Sequence, residues 1–121
     1  MADVVVVGSG IAGLFVATRC ARAGLSTVVV TKKRLSDSST NWAQGGIAAA
    51  MDETDFGAHM QDTISAGCGL CELHVVEMVI KESAQRIQDL VKAGVHFDSN
   101  DSGFDLAIEG GHSKRRVAHS K

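Results

Sequence analysis

One glycine-rich turn constrains the fold of this chain more than any other feature. Residues Gly8–Gly13 read G-S-G-I-A-G and lie between a β-branched run, Asp3–Val7, and a stretch with apolar residues at helical spacing. In a G-x-G-x-x-G turn the first glycine allows a tight bend, the second lets a pyrophosphate approach the backbone, and the third lets helix and strand pack closely. The phosphates then lie at the positive N-terminus of the helix. The turn therefore predicts a dinucleotide-binding unit rather than a merely structural bend.

The first part of the chain is predicted to form a β-α-β unit. The runs Asp3–Val7 and Ser26–Thr31 have the composition of strands buried on both faces of a sheet. A helix is predicted from Gly10 to Ala23, with Gly24 as its C-terminal stop. Because strands joined by a helix pair in parallel, the predicted fold class is α/β, with a Rossmann-like, doubly wound parallel sheet.

Fewer elements are evident further along the chain. A second long helix is predicted from Glu72 to Ala93, ended by Gly94. Val95–Phe97 is predicted to form a short strand, followed by a polar turn from Asp98 to Gly103. In residues 36–50 neither helical nor strand periodicity dominates. We therefore expect a loop there, whose glycine pair brings the backbone close to another group.

Length and charge exclude several classes of function. The 121 residues suffice for one small domain, and 45% hydrophobic with 21% charged residues is a globular composition. The formal net charge of -2 gives no overall field that would attract nucleic acid or anionic lipid. The apolar stretch Val4–Ala17 is interrupted by glycines and is shorter than the ~20 residues of a spanning helix. Since Met1–Asp3 is not basic, we expect a cytoplasmic protein that binds neither nucleic acid nor membrane.

The cysteines and histidines do not form a metal-binding pattern. Three cysteines make no disulfide framework, and the C-x-x-C segment Cys68–Cys71 with His74 lacks the four ligands of a zinc site. We interpret that segment as a glycine-rich turn leading into a helix rather than a redox or metal site. The histidines show no ligand spacing, so no metal is predicted; they are His59, His74, His96, His112 and His119.

The usual ribose-binding acid is missing from this chain. In a Rossmann-like unit an Asp or Glu about 20 residues beyond the glycine turn binds a ribose hydroxyl. Thr31 and Lys32 stand there instead. Taken alone, a basic residue at this place favours a 2'-phosphate and hence NADP. The spacing argument by itself therefore does not identify the dinucleotide.

The segment Ser38–Ala49 carries a resemblance to a known family. It reads S-S-T-N-W-A-Q-G-G-I-A-A and resembles the flavin-contacting segment of the succinate dehydrogenase/fumarate reductase flavoproteins, in the form found in L-aspartate oxidases. Asp52–Asp55 and the E-G-G-H-S segment Glu109–Ser113 continue the resemblance, and two arginines follow. The resemblance implies that the cofactor is FAD and that Lys32 replaces the ribose-binding acid.

The resemblance also implies roles for individual residues. The pyrophosphate would lie against Ser9–Ala12, the adenosine near Lys32, and the ribityl chain and isoalloxazine within Ser39–Gly46. Relatives that act on succinate carry a histidine bonded covalently to the flavin where Ser39 stands, so the FAD is expected to be non-covalent. The implied cofactor-binding residues are Gly8, Ser9, Gly10, Ile11, Ala12, Gly13, Lys32, Ser39, Thr40, Asn41, Trp42, Ala43, Gln44, Gly45 and Gly46.

By the same resemblance, the family's enzymes oxidise L-aspartate to iminoaspartate, with oxygen or fumarate as acceptor, for quinolinate and NAD biosynthesis. The implied partners are these small dicarboxylates, with quinolinate synthase downstream. Glu109 is expected to contact the substrate rather than to be an ordinary loop acid. Residues 1–121 correspond to the amino-terminal part of an FAD-binding domain, without the capping and C-terminal helical domains. Activity of the 121-residue chain alone is therefore not expected.

Two other functions stay open from the sequence. One is a fragment of a fumarate reductase or succinate dehydrogenase flavoprotein, against which Ser39 and the E-G-G-H-S segment count. The other is a non-catalytic remnant that binds nucleotide without turnover. The basic run Lys114–Arg116 also has two interpretations, a solvated surface run or a group that steers anionic substrate towards the flavin.

Overall fold

The computed structural model describes residues 1–120, and the chain divides into two compact units, Met1–Gln44 and Gly45–Lys121. The first unit contains the predicted β-α-β arrangement. Strands β1 and β2 pair in parallel, with Val4 opposite Thr27 and Val7 opposite Val30. The elements of this unit are β1 (Val4–Val7), α1 (Ile11–Arg22), β2 (Thr27–Val30) and the one-turn helix α2 (Ser39–Trp42).

Local chemistry explains where these elements begin and end. Gly24 follows α1 with a φ of +83°, a left-handed conformation that glycine adopts at little cost, and this confirms its predicted role as the helix stop. The Asp3 carboxylate accepts the backbone N–H of Ser26 at 2.8 Å and so ties the start of β1 to the start of β2. The parallel register is thus fixed at one end of the two strands.

The prediction that both strands are buried on two faces is wrong for these residues. Helix α1 covers one face, with Gly13 next to the side chain of Val6. On the opposite face Val5 and Val7 keep 58% and 84% of their surface exposed. The two strands form a two-stranded sheet that has α1 on one face, although such apolar runs are typical of strands buried on both faces.

The second unit combines two helices with short antiparallel strands. Helices α3 and α4 pack against each other, and β7 lies between β3 and β6, with Ala118 opposite both Ile47 and Leu106. A 3-10 turn at Glu53–Asp55 precedes α3. The elements are β3 (Ile47–Ala48), α3 (Phe56–Gly67), α4 (Leu73–Lys92), β4 (Ser99–Asn100), β5 (Gly103–Phe104), β6 (Leu106–Ala107) and β7 (Val117–Ala118).

The core of this unit forms where α4 meets the segment after β3. Ser83 on α4 accepts the backbone N–H of Ala50 at 3.0 Å, so a polar group of the helix satisfies the backbone of a buried segment. The buried apolar side chains of the unit are Ala49, Ala50, Ile80, Ile87, Val117 and Ala118. The expected loop over residues 36–50 therefore holds two short elements, α2 and β3.

Helix α4 matches the prediction of a helix from Glu72 to Ala93, ended by Gly94, which has a φ of +101°. The predicted strand at Val95–Phe97 is wrong. Val95 instead closes the helix end, donating its N–H to the carbonyl of Leu90 at 3.0 Å. Pairing starts two residues after Phe97, in the hairpin of β4 and β5.

Helix α3 was not among the predicted elements. Its start is marked by Asp52, whose carboxylate accepts the backbone N–H of Thr54 at 2.8 Å, and by acidic residues in the preceding turn. Its end is marked by Cys68 and Gly69, with φ values of +48° and +87°. The C-x-x-C segment is therefore the turn between α3 and α4, as interpreted from the sequence.

Within residues 1–120, no helix combines the length and the apolar character that crossing a membrane requires.

Candidate functional site

The glycine turn between β1 and α1 has the geometry of a phosphate cradle. Gly8 has a φ of +108°, and its N–H donates to the carbonyl of Val30 at 2.8 Å, which fixes the turn against β2. At Gly13 a Cβ would come within 3.0 Å of the Gly8 carbonyl oxygen, so α1 can approach the turn this closely only without a side chain there. Both glycines therefore serve the roles that their spacing predicted.

The N-terminus of α1 suits an anion. Gly10 caps the helix without any side-chain hydrogen bond, and the first turn contains no acidic residue. Because the first N–H groups of a helix lack intrahelical acceptors, they and the helix dipole favour a bound negative group. The absence of a Cβ at Gly10 leaves the backbone approachable. A dinucleotide's pyrophosphate fits this arrangement.

Three hydroxyl groups, of Ser9, Thr31 and Thr40, lie around the glycine turn. The buried Ser9 shares a hydrogen bond of 3.1 Å with the hydroxyl of Thr31, directly after β2. Thr40, in α2, accepts the N–H of Ile11 at 3.0 Å, so α2 is anchored to the start of α1. The structure thus brings together the glycine turn and one member of the predicted flavin segment. The other residues of α2 are exposed, and so is Lys32.

The two glycines of the predicted flavin segment belong to the second unit and differ in surroundings. A Cβ at Gly46 would come within 3.0 Å of the Ala118 carbonyl oxygen and the ring of His119, so Gly46 is required for close packing against β7. A Cβ at Gly45 would meet only Glu109, at an ordinary 3.8 Å. Gly46 therefore has a packing role that its motif did not reveal.

Glu109, the predicted substrate contact, forms a hydrogen bond with a histidine. Its Oε1 lies 2.8 Å from Nε2 of His119, and the two side chains are 42% and 34% exposed. An ionised carboxylate only accepts hydrogen bonds, so the Nε2 of His119 must donate. Glu109 is therefore an accessible carboxylate with a fixed neighbour, which is compatible with contact to a small ligand.

A buried charge cluster, Asp55–Asp62–Arg116, was missed by the sequence reasoning. The Arg116 side chain is fully buried. It donates to both oxygens of Asp55, from Nε at 2.7 Å and from Nη2 at 2.8 Å, and from Nη1 to Asp62 at 2.6 Å. Asp62 also accepts the N–H and hydroxyl of Ser113, each at 2.8 Å. Arg116 is thus neither a solvated surface group nor available to steer substrate. The cluster joins α3 and the turn before it to the residue that precedes β7.

Hydrogen bonding shifts the proton affinities in this cluster. The guanidinium of Arg116 lowers the pKa of Asp55, and the bonds from Ser113 and then Arg116 lower the pKa of Asp62 to about 2. The bond to Asp55 in turn raises the pKa of Arg116. Burial, with the charge of Arg116, lowers the pKa of His59. The carboxylates and the guanidinium are therefore charged at neutral pH.

The side chains of Cys68 and Cys71 belong to the turn between α3 and α4. Cys71 Sγ lies 3.6 Å from the carbonyl of Thr63, whereas Cys68 is exposed, and both are free cysteines. Over residues 1–120 no group of three or more His, Cys, Asp or Glu side chains is arranged to hold a metal ion.

Comparisons with known proteins agree with this geometry. A family model described as "FAD binding domain" matches residues 3–121. The L-aspartate oxidase of Streptomyces coelicolor is 54% identical, with 98% of this chain and 21% of that protein covered. The L-aspartate oxidase of Synechocystis is 44% identical, again with 98% and 21% covered. The chain therefore spans about a fifth of the length of these relatives.

Solved structures show the same fold. The Sdh1 complex of Mycobacterium smegmatis in its apo form matches with a TM-score of 0.89 and 34% identity, covering 98% of this chain and 21% of that one. The quinol fumarate reductase FrdA of E. coli matches with a TM-score of 0.87 and 30% identity, covering 97% and 21%. These matches confirm the α/β, Rossmann-like fold class. The match over residues 3–121 favours FAD over NADP as the dinucleotide, and it shows that the chain belongs to the FAD-binding domain family.

Proposed function

We propose that this chain is the amino-terminal, FAD-holding part of an enzyme that oxidises L-aspartate to iminoaspartate, with oxygen or fumarate as the acceptor. The relatives named L-aspartate oxidase support this activity, at 54% and 44% identity. The structural observation that carries it is the accessible carboxylate of Glu109 beside Gly45. FAD, when bound, supplies a two-electron acceptor for the substrate's hydride.

The residues of the chain would hold that cofactor in the following way. The backbone N–H groups at Ser9–Ala12 would bind the pyrophosphate, because the first turn of α1 contains no acidic residue and the side chain of the N-cap position forms no hydrogen bond. The N–H of Ile11 in this group already donates to the Thr40 hydroxyl. Lys32 lies towards the adenosine end. The segment Ser39–Gly46 would lie along the ribityl chain and the isoalloxazine, where backbone donors would adjust the flavin's reduction potential.

We expect the flavin to be dissociable, because a serine hydroxyl at Ser39 cannot form the covalent histidyl bond of the succinate-oxidising relatives. The measurement is acid precipitation of the complete protein followed by washing of the pellet. Yellow colour should pass into the supernatant. Colour that stays with the washed pellet would show a covalent link and contradict the assignment of Ser39.

Glu109 is proposed to distinguish aspartate from a plain dicarboxylate. Both kinds of substrate bring two carboxylates, but aspartate also carries an ammonium group, which an accessible carboxylate can accept in a charge-assisted hydrogen bond worth about 1.5–3 kcal/mol. The variant Glu109→Gln should lower kcat/KM for aspartate by roughly one to two orders of magnitude, at about 1.4 kcal/mol per tenfold. Fumarate reduction should stay close to wild type.

Steady-state kinetics of the complete enzyme with both substrates tests the role of Glu109. Glu82→Gln is a matched control, because Glu82 is an exposed carboxylate in the same unit and pairs with Arg86 at 3.6 Å. This control should leave both activities unchanged. Equal losses for aspartate and fumarate in Glu109→Gln would show that Glu109 supports the fold or the flavin instead.

A succinate dehydrogenase or fumarate reductase flavoprotein is the second candidate, favoured by the structural similarity to Sdh1 and FrdA. Succinate oxidation faster than aspartate oxidation by the complete protein would support it. Under the first candidate, we propose a cytoplasmic enzyme whose product passes to quinolinate synthase. The capping and helical domains would then lie in the parts of the relatives that this chain does not cover.

A further inference from the structure

The pair formed by Glu109 and His119 is a feature that no motif assigned. We propose that His119 is a positioning residue, which holds the Glu109 carboxylate in the orientation that receives the substrate's ammonium group. This inference rests on the proposed aspartate oxidation, and it adds a second residue to the discrimination of amino acid from dicarboxylate.

The two oxygens of the Glu109 carboxylate have different surroundings. Oε1 of Glu109 accepts from Nε2 of His119 at 2.8 Å. Oε2 points towards Gly45, which has no side chain, and even an added Cβ there would lie 3.8 Å from this oxygen. One oxygen is therefore used for orientation while the other is left accessible for a ligand. An exposed glutamate without such a partner would sample several rotamers.

The position of His119 is fixed by backbone hydrogen bonds next to it and by the close approach of its ring to Gly46. Its carbonyl accepts the N–H of Asp98 at 2.8 Å. The next residue, Ser120, donates its hydroxyl to the carbonyl of His96 at 2.7 Å. The ring lies so close to Gly46 that a Cβ there would come within 3.0 Å of Cδ2. A side chain fixed in this way can transmit its position to Glu109.

Glu109 lies at the start of a backbone turn, and its side-chain orientation depends on the hydrogen bond to His119. The backbone turns directly after it, with the N–H of His112 donating to the Glu109 carbonyl at 3.1 Å and Gly111 at a φ of +83°. Its own side chain is 42% exposed. Over residues 1–120, the hydrogen bond to His119 is the side-chain contact that the structure gives this carboxylate.

The test uses His119→Ala and His119→Gln in the complete, FAD-loaded enzyme. His119→Ala should lower kcat/KM for aspartate about tenfold, mostly through KM, because the carboxylate loses its orientation. Fumarate reduction and flavin content should stay close to wild type. His119→Gln keeps an N–H donor and should recover most of the loss. A structural role would move both substrates together and would not be rescued by glutamine.

A double-mutant cycle separates this inference from the proposed function. If Glu109 acts through its orientation, adding His119→Ala to Glu109→Gln should cause little further loss for aspartate. A Glu109→Gln variant with normal aspartate kinetics would reject the proposed role of Glu109 itself. A clear effect of Glu109→Gln with none from His119→Ala would reject the positioning role alone. Loss of FAD in His119→Ala, or a glutamine variant no better than alanine, would also overturn it.

Discussion

Replacing Arg116 with methionine should lower the free energy of unfolding of the complete protein by about 3–5 kcal/mol, the cost of breaking a buried ion pair by removing one partner. Arg116 is fully buried, and the substitution would leave Asp55 without its bidentate donor and Asp62 without one of its donors. Methionine replaces the aliphatic part of the arginine side chain, so most of the loss comes from the ion pairs. Equilibrium urea unfolding followed by circular dichroism measures the change.

The neighbouring arginine supplies the control. Arg115 is exposed and donates to the carbonyl of Leu106 at 3.3 Å, so Arg115→Met removes the same charge from the surface. Its cost should be no more than about 1 kcal/mol. If the two variants unfold at the same urea concentration, the buried cluster does not stabilise the fold.

The pH dependence of the Arg116→Met effect follows from the lowered carboxyl pKa values. The pKa of Asp62 is about 2 in the folded state against an ordinary value of 3.8, and that of Asp55 is lowered as well. A carboxyl whose folded pKa is depressed stabilises the fold above its unfolded pKa and loses this contribution as the pH falls through the folded value. The difference between wild type and Arg116→Met should therefore be full at neutral pH and shrink between about pH 4 and 2.

Replacing Gly13 with alanine should weaken FAD binding about a hundredfold, equivalent to about 2.7 kcal/mol, and lower the free energy of unfolding by about 1–3 kcal/mol. The added Cβ would come within 3.0 Å of the Gly8 carbonyl oxygen, which belongs to the backbone and cannot rotate away. Helix α1 would have to move from β1 and carry its N-terminus with it. Titration of the apo-protein with FAD, followed by flavin fluorescence, measures the affinity.

Substitutions at two further glycines serve as comparisons for Gly13→Ala. At Gly57, in α3, a Cβ would meet nothing within 4 Å, so Gly57→Ala should leave FAD affinity unchanged and stabilise by at most about 1 kcal/mol. At Gly10 a Cβ would lie 3.4 Å from the Thr40 hydroxyl, so Gly10→Ala should fold normally but hinder the pyrophosphate. An affinity for FAD within twofold of wild type in Gly13→Ala would contradict the role assigned to this turn.

The predictable parts of the fold are those determined by residues that lie close together in the sequence. The β-α-β unit follows from a glycine turn and two β-branched runs within residues 3–31, and α4 follows from a regular apolar face ended by Gly94. Helix α3 lacks so clear an apolar face and buries His59, a polar residue. Its boundaries were visible only in the Asp52 cap and the turn at Cys68.

The features that could not be predicted depend on distant partners. Lys114–Arg116 has the composition of a surface run, and Arg116 is buried because Asp55, 61 residues earlier, lies opposite it. The packing role of Gly46 likewise depends on β7. Nothing near either position in the sequence indicates its partner. The sequence does not show that Arg116 lies opposite Asp55 and Asp62, because this contact depends on how the strand after Arg116 packs.

The pairing of β3 with β7 has a consequence for synthesis on the ribosome. Ile47 pairs with Ala118, and the N–H of Ala49 donates to the carbonyl of Arg116 at 2.9 Å. At about 5–20 residues per second, β7 follows β3 out of the ribosome after roughly 4–14 s. During that interval the nascent chain can form the β-α-β unit and the α3–α4 hairpin, whose contacts are local. The backbone at β3 cannot pair until β7 has been synthesised. Until then its unpaired edge is exposed to chaperones and to other nascent chains.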